Sequence, residues 1–207
     1  MEQLLLPLED VSCESSGYHK PIATRFTDPQ PFNILDEIEM NIFILDENIQ
    51  SAAEQHVDKH VVKMPLELAQ LLCTAHRVIN PDGPYQDILY KKTHFNHPCA
   101  IWVRENSANY EWAFQMFSAL ANEYHYRYNK HHLSWMKLSG ILFNPPKDIN
   151  VSDTMTPFAQ AMPVQYKSDD AVHSYRQYYL GEKHHLFSWK NRDVPSWVRG
   201  IKQNAAV

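Results

Sequence analysis

Apolar residues recur at helical spacing through most of the chain. Val57, Val61, Met64, Leu68, Leu71, Leu72 and Ala75 fall three or four apart, which predicts an amphipathic helix over 51–78. Ser51-Ala-Ala-Glu54 reads as its capping box. Pro65 lies inside this stretch and, lacking an amide donor, is expected to kink or break it. A second series, Ala100, Val103, Ser107, Tyr110, Phe114, Phe117, Ala121, Tyr124 and Tyr128, predicts a long helix over 98–128 opened by Pro98. "SDDAVHSYRQYYLGEKHHLFSWKNRDVPSWV" starts on an Asp cap and supplies a last helix pair. Before all of these, "MNIFILDEN" reads as a short buried strand, Asn41 to Leu45.

Between the helices, "NPDGP" at 80–84 is a turn and "NPPKDINVSDTMTPFAQAMP" at 144–163 is loop-rich. The first 39 residues show no sustained period and carry the turn-prone "ESSG". The expected architecture is therefore mainly α: an N-terminal extension over 1–39, then one helical domain over 40–207 that begins with a short strand.

Composition narrows the class. Hydrophobic residues make up 44% and charged residues 21%, the balance of a globular domain. No apolar run reaches the roughly 18 residues of a membrane span, and the polar start does not resemble a signal peptide. Cys13, Cys73 and Cys99 form no C-x-x-C pair, which points to a reducing compartment without a disulfide framework. The net charge of −5 is uneven: residues 1–39 hold a net −6 and the rest a net +1. A near-neutral body leaves room for a local basic cleft, so a nucleic-acid partner is compatible with the charge.

The chemistry concentrates in "AEQHVDKHVVKMPLELAQ". His56, His60, Lys63 and Glu67 are spaced four, three and four apart, on one helical face, with Asp58 and Lys59 to its sides. Two chemistries fit this face. Lys63 or Lys59 can act as an amine nucleophile with Glu67 or Asp58 handling protons. Alternatively, His56 and His60 can share a divalent metal, with a third ligand from Glu67 or another histidine. A solvated helix face is the competing reading. The zincin motif is absent because Val57 follows the first histidine.

His94 and His97 in "THFNHPCAIW" precede a helix start, and Arg104, Arg127, Arg176, Lys190 and Arg192 are further candidates for phosphate contacts. The aromatic series Trp102 to Tyr128 could stack bases, but at helical spacing it reads first as core. No P-loop, G-x-G-x-x-G or G-x-S-x-G occurs, which disfavours those nucleotide-binding and hydrolase chemistries.

Met40–Asp46, Asp58–Met64, Asn96–Trp102 and Trp189–Trp197 resemble segments of uncharacterised tailed-phage and cyanophage proteins. Ala53-Glu54-Gln55-His56, His97-Pro98 and Arg192 to Trp197 are similar in order to landmarks of the pyrimidine-dimer DNA glycosylases, the phage endonuclease V family. That resemblance implies a helical fold, a DNA substrate and an amine nucleophile assisted by a glutamate. The family's amine belongs to an N-terminal threonine; here Asn41 follows Met40, with 39 residues ahead of it. By spacing from His56, the family's glutamate position falls on Lys63.

The expectation is a phage enzyme acting on a nucleobase or deoxyribose in the cytoplasm of an infected bacterium, with Lys63, Glu67, His60 and Asp58 catalytic. It needs no cofactor. The alternatives are a histidine-rich metalloenzyme built on His56 and His60, and a non-enzymatic accessory protein that binds a host partner.

Overall fold

The computed structural model describes residues 40–199. The extension over 1–39 lies outside the described residues. The segment from Met40 to Leu45 is buried, yet no strand occurs among the described residues. This corrects the strand expected there. Phe43 adopts a φ of 32°, which turns the chain out of the β region. Its polar groups are satisfied by side chains instead of a ladder: the Asn41 amide donates to Glu67 Oε2 at 3.3 Å and the Ile42 amide to Asn41 Oδ1 at 2.9 Å.

The helix expected over 51–78 is two helices, α1 (Ile49–Gln55) and α2 (Asp58–Ile79). Asn48, not Ser51, caps α1, its side chain accepting from the Ser51 amide at 2.9 Å. Glu54 pairs with Arg192 at 3.3 Å in place of closing a capping box. The break falls at His56 and Val57, whose ψ values of 139° and 155° are extended. Pro65 does not interrupt α2. Its apolar ring is buried, and packing of the helix outweighs one missing amide donor.

The second long helix is also divided, into α3 (Pro98–Val103) and α4 (Ser107–Tyr128). Asn106 restarts the chain by accepting from the Asn109 amide at 2.9 Å. Loop residues hold the joint: the Ser107 amide donates to Asn150 O at 2.9 Å, and Asn109 Nδ2 to Thr156 Oγ1 at 2.7 Å. Helix α4 ends at Asn129, whose φ of 51° is the left-handed close expected of a C-terminal asparagine. Helix α5 (Leu133–Leu142) is additional to the helices the periodicity predicts, and its cap is the uncommon one of a histidine, His132, which accepts from the Ser134 amide at 3.2 Å. Helix α6 (Ala171–Glu182) does begin on an Asp cap, and of the two aspartates there it is Asp170 that accepts from the His173 amide. The expected last helix pair reduces to α6, a single 3-10 turn and the four-residue α7 (Ser196–Arg199).

Helix α2 is the central element. It packs on α4, α5 and α3, while α1 packs on α4. Val57, Val61, Leu68, Leu71, Leu72, Tyr110, Met116, Phe117, Tyr175 and Tyr179 are buried in one shared core. Trp102, Tyr110, Trp112 and Phe117 of the aromatic series are thus core residues, as the helical spacing indicated. No described helix is long and apolar enough to cross a membrane.

Candidate active site

The helix break divides the four residues expected on one face. His56 sits in the joint and is fully buried, its Nδ1 at 2.7 Å from Ala52 O. This contact fixes the proton on Nδ1 and leaves Nε2 without a partner in the core. Burial lowers the His56 imidazole to about 4, despite the hydrogen bond to Ala52, so it is neutral.

His60, one turn into α2, is also buried and held well below the ordinary histidine value by burial and by His56 beside it. Its Nδ1 meets the Tyr179 hydroxyl, and burial keeps that phenol protonated. The His60 ring lies 4.6 Å from that of Phe43 at an interplanar angle of 18°. Phe43 is also near-parallel to Tyr178, with centroids 6.1 Å apart. A bulky side chain at positive φ is a strained feature, and here the stack on His60 and the edges of Tyr175 and Tyr179 hold it.

Lys63 and Glu67 do meet. Lys63 Nζ lies 3.0 Å from Glu67 Oε1, while Glu67 Oε2 accepts from the Asn41 amide. The lysine side chain is 30% exposed and the glutamate 8%, so the amine is the outer member of the pair. Asn41 is the link to a neighbouring cavity, since its Nδ2 donates to Ala161 O at 2.6 Å. That cavity measures about 280 Å³, and Met40, His97, Ala161, Met162, Lys167 and Tyr178 contribute to its lining.

Asp58 does not join this group. Its carboxylate accepts from Arg127 Nη1 at 2.9 Å, the Ser188 hydroxyl at 2.6 Å and the Lys190 amide at 2.9 Å. Burial disfavours its ionised form, but these donors together hold the carboxyl below its ordinary range. It is a hub between α2, α4 and the C-terminal segment, apart from the Lys63–Glu67 pair. Lys59 is exposed on the helix surface.

The phosphate-contact candidates also separate. Arg127 is buried and bound to Glu123 at 2.6 Å, so it presents nothing to a ligand. Arg192 is held by Glu123 at 2.8 Å and by Glu54. Arg176 donates to Leu45 O at 2.8 Å and Asp46 Oδ2 at 3.1 Å. Lys190 is exposed, with Nζ 5.1 Å from the Tyr128 ring centroid. Arg127, Arg176 and Arg192 are thus engaged by carboxylates or backbone carbonyls, whereas the Lys190 amine stands at the surface. His94, His97 and Arg104 remain together on the segment around α3. His97 is the α3 cap, accepting from the Cys99 amide at 3.2 Å.

For a metal, His56 and His60 supply two imidazoles with ring centroids 6.4 Å apart, but each Nδ1 is already engaged. Among the described residues no group of three His, Cys, Asp or Glu is arranged to hold an ion. Cys73 and Cys99 are free and buried, and burial pushes their thiols up to about 11 and about 12. Neither is a reactive thiolate. Sequence reasoning missed Asn41 and Phe43, because an apolar run carries no signal for a positive φ or for a polar side chain turned inward.

No protein-family model, curated protein or solved structure matches the chain.

Proposed function

We propose that the protein is a DNA-directed enzyme of the glycosylase/lyase type, acting on a nucleobase or its deoxyribose. The observation that carries this reading is the Lys63–Glu67 pair, an amine 3.0 Å from a buried carboxylate. An amine that displaces a base at the sugar C1′ must first lose a proton, and Glu67 is placed to accept it. The nitrogen then bonds to C1′ as the glycosidic bond breaks, with its electron pair leaving on the base. The departing base takes up the proton held by Glu67, and the new C1′ ammonium, which carries two N–H protons, returns one to Glu67. The nitrogen lone pair then breaks the C1′–O4′ bond, the second N–H proton passes to O4′, and an imine to Lys63 remains. Glu67 also meets the backbone nitrogen that follows Met40, one helical turn beyond the position that spacing from His56 assigns to a glutamate. In the pyrimidine-dimer glycosylases that the sequence resembles, the nitrogen is a free amine; here it is a peptide amide, and the reactive amine of this reading is that of Lys63.

An imine is trapped by borohydride. On DNA carrying an abasic site, the wild-type chain is expected to form a reduced covalent adduct. Lys63→Ala is expected to abolish it, and Glu67→Gln to slow its formation by about 100-fold, the lower range of general acid–base catalysis. No adduct from the wild type, or an adduct that survives Lys63→Ala, overturns the reading.

A further inference from the structure

The segment leading from α2 into α3 carries a surface that the proposed chemistry does not use. Lys91, Lys92, His94 and Phe95 are exposed ahead of α3, and Arg104 closes its far end. The Phe95 ring is 40% exposed and stands outside the core. Two cations lie over the ring: the Arg104 guanidinium carbon at 4.4 Å and Lys92 Nζ at 5.1 Å from its centroid. Arg104 is half-buried, and its Nη1, which is shut off from solvent, has no hydrogen-bond partner, in contrast to the guanidinium groups of Arg127, Arg176 and Arg192.

The backbone presents this group in an unusual way. His94 has a φ of 46°, and the Thr93 hydroxyl contacts its Nδ1 at 2.7 Å. The His94 ring packs edge-on to His97 with centroids 6.5 Å apart, and His97 lines the cavity beside Met40. The surface therefore runs up to the cavity. Asp87 and Glu105 are the acidic residues flanking it in sequence, and Glu105 Oε2 accepts from the Thr156 hydroxyl at 2.9 Å.

An exposed aromatic ring flanked by cations is the arrangement that binds unpaired bases: the ring stacks and the cations take adjoining phosphates. We propose that the Lys92–Phe95–Arg104 surface is a platform for single-stranded nucleic acid leading to the cavity. Binding moves the exposed Lys92 off the Phe95 ring onto a phosphate, a base takes its place on the ring, and Arg104 holds the adjoining phosphate. The choice of nucleic acid as ligand rests on the DNA-directed reading above.

Fluorescence anisotropy with a labelled twenty-residue oligothymidylate tests this on the full chain. The wild type is expected to bind, and affinity to fall as salt rises. Phe95→Ala is expected to weaken binding by about tenfold, in line with the loss of one stacked base. Lys92→Gln with Arg104→Gln is expected to flatten the dependence of log affinity on log salt by about 1.4, two single-strand phosphate contacts. Lys130→Gln, one charge removed at an exposed position outside the platform, leaves the slope within about 0.7 of wild type, the worth of a single contact. Unchanged thermal unfolding of Phe95→Ala separates lost stacking from lost folding.

Absence of oligothymidylate binding overturns the proposal, as does binding indifferent to Phe95, Lys92 and Arg104. Binding to phosphatidylserine vesicles without binding to the oligonucleotide also overturns it, in favour of a membrane-surface role. The two proposals fail separately. A borohydride adduct with Phe95→Ala as avid as wild type removes only the platform, whereas platform binding without any adduct removes only the lysine chemistry.

Discussion

His56 and His60 show how burial converts familiar site residues into framework. The His56 imidazole is ordinarily half-protonated at 6.5 and in the fold only at about 4. The unfolded chain therefore takes up protons first, and folding stability is complete above pH 6.5 and is lost as pH falls toward 4. For His56 alone this amounts to about 3 kcal/mol. His60, lowered in the same direction, adds to the loss. Urea unfolding between pH 7.5 and 4 is expected to show a falling midpoint, and His56→Gln to remove part of that slope while lowering stability at pH 7.5.

Phe43 offers a second test at this scale. Alanine and glycine both delete its ring, but only glycine accepts a φ of 32° without steric cost. Phe43→Gly is thus expected to be more stable than Phe43→Ala by about 1 kcal/mol in urea unfolding, the reverse of the usual order.

At the level of elements, the periodic signal identified where helices run but not where they stop. Val57 to Ala75 and Ala100 to Tyr128 did mark helices, and an Asp cap did mark a start. The breaks at His56–Val57 and at Arg104–Asn106 depend on partners from afar. The Asp58 amide donates to Ser188 O at 2.8 Å and the Ser107 amide to Asn150 O, contacts that no local pattern encodes. For the same reason Lys63 and Glu67 were legible as a pair from i,i+4 spacing, whereas Asn41 as their neighbour was not.

The α4 terminus concentrates charge in the interior. Arg127 and Glu123 have side chains shielded completely from solvent, and Asp58 and Arg192 extend the network to α2 and the C-terminal segment. Arg127→Met is expected to cost about 3–5 kcal/mol, because it strands a buried carboxylate. Chemical denaturation of the variant at pH 7.5 measures it.

Across the whole molecule, the C-terminal segment works as a strap over the joint between α1 and α2. Trp189 Nε1 donates to Gln55 O at 2.9 Å and Trp197 Nε1 to Gln55 Oε1 at 2.6 Å, while Arg192 reaches Glu123 between them. The spacing of tryptophan, arginine and tryptophan in the sequence is thereby accounted for by docking and needs no ligand. Ending the chain after Phe187 removes these contacts and the Ser188 and Lys190 donors to Asp58. Differential scanning calorimetry of that truncation is expected to show a midpoint lower by roughly 10 °C, which corresponds to a few kcal/mol for a domain of this size.

The buried Met40–Leu45 segment has a further consequence, for the order of events during synthesis. Asn41 is bonded to Ala161, and Leu45 accepts from Arg176, 120 and 131 residues further along the chain. A ribosome must deliver almost the entire domain before this early segment can bury Ile42, Phe43 and Ile44 in their final places. Until then three large apolar side chains wait in water, and the nascent protein is at its most vulnerable to misassociation just before α6 emerges.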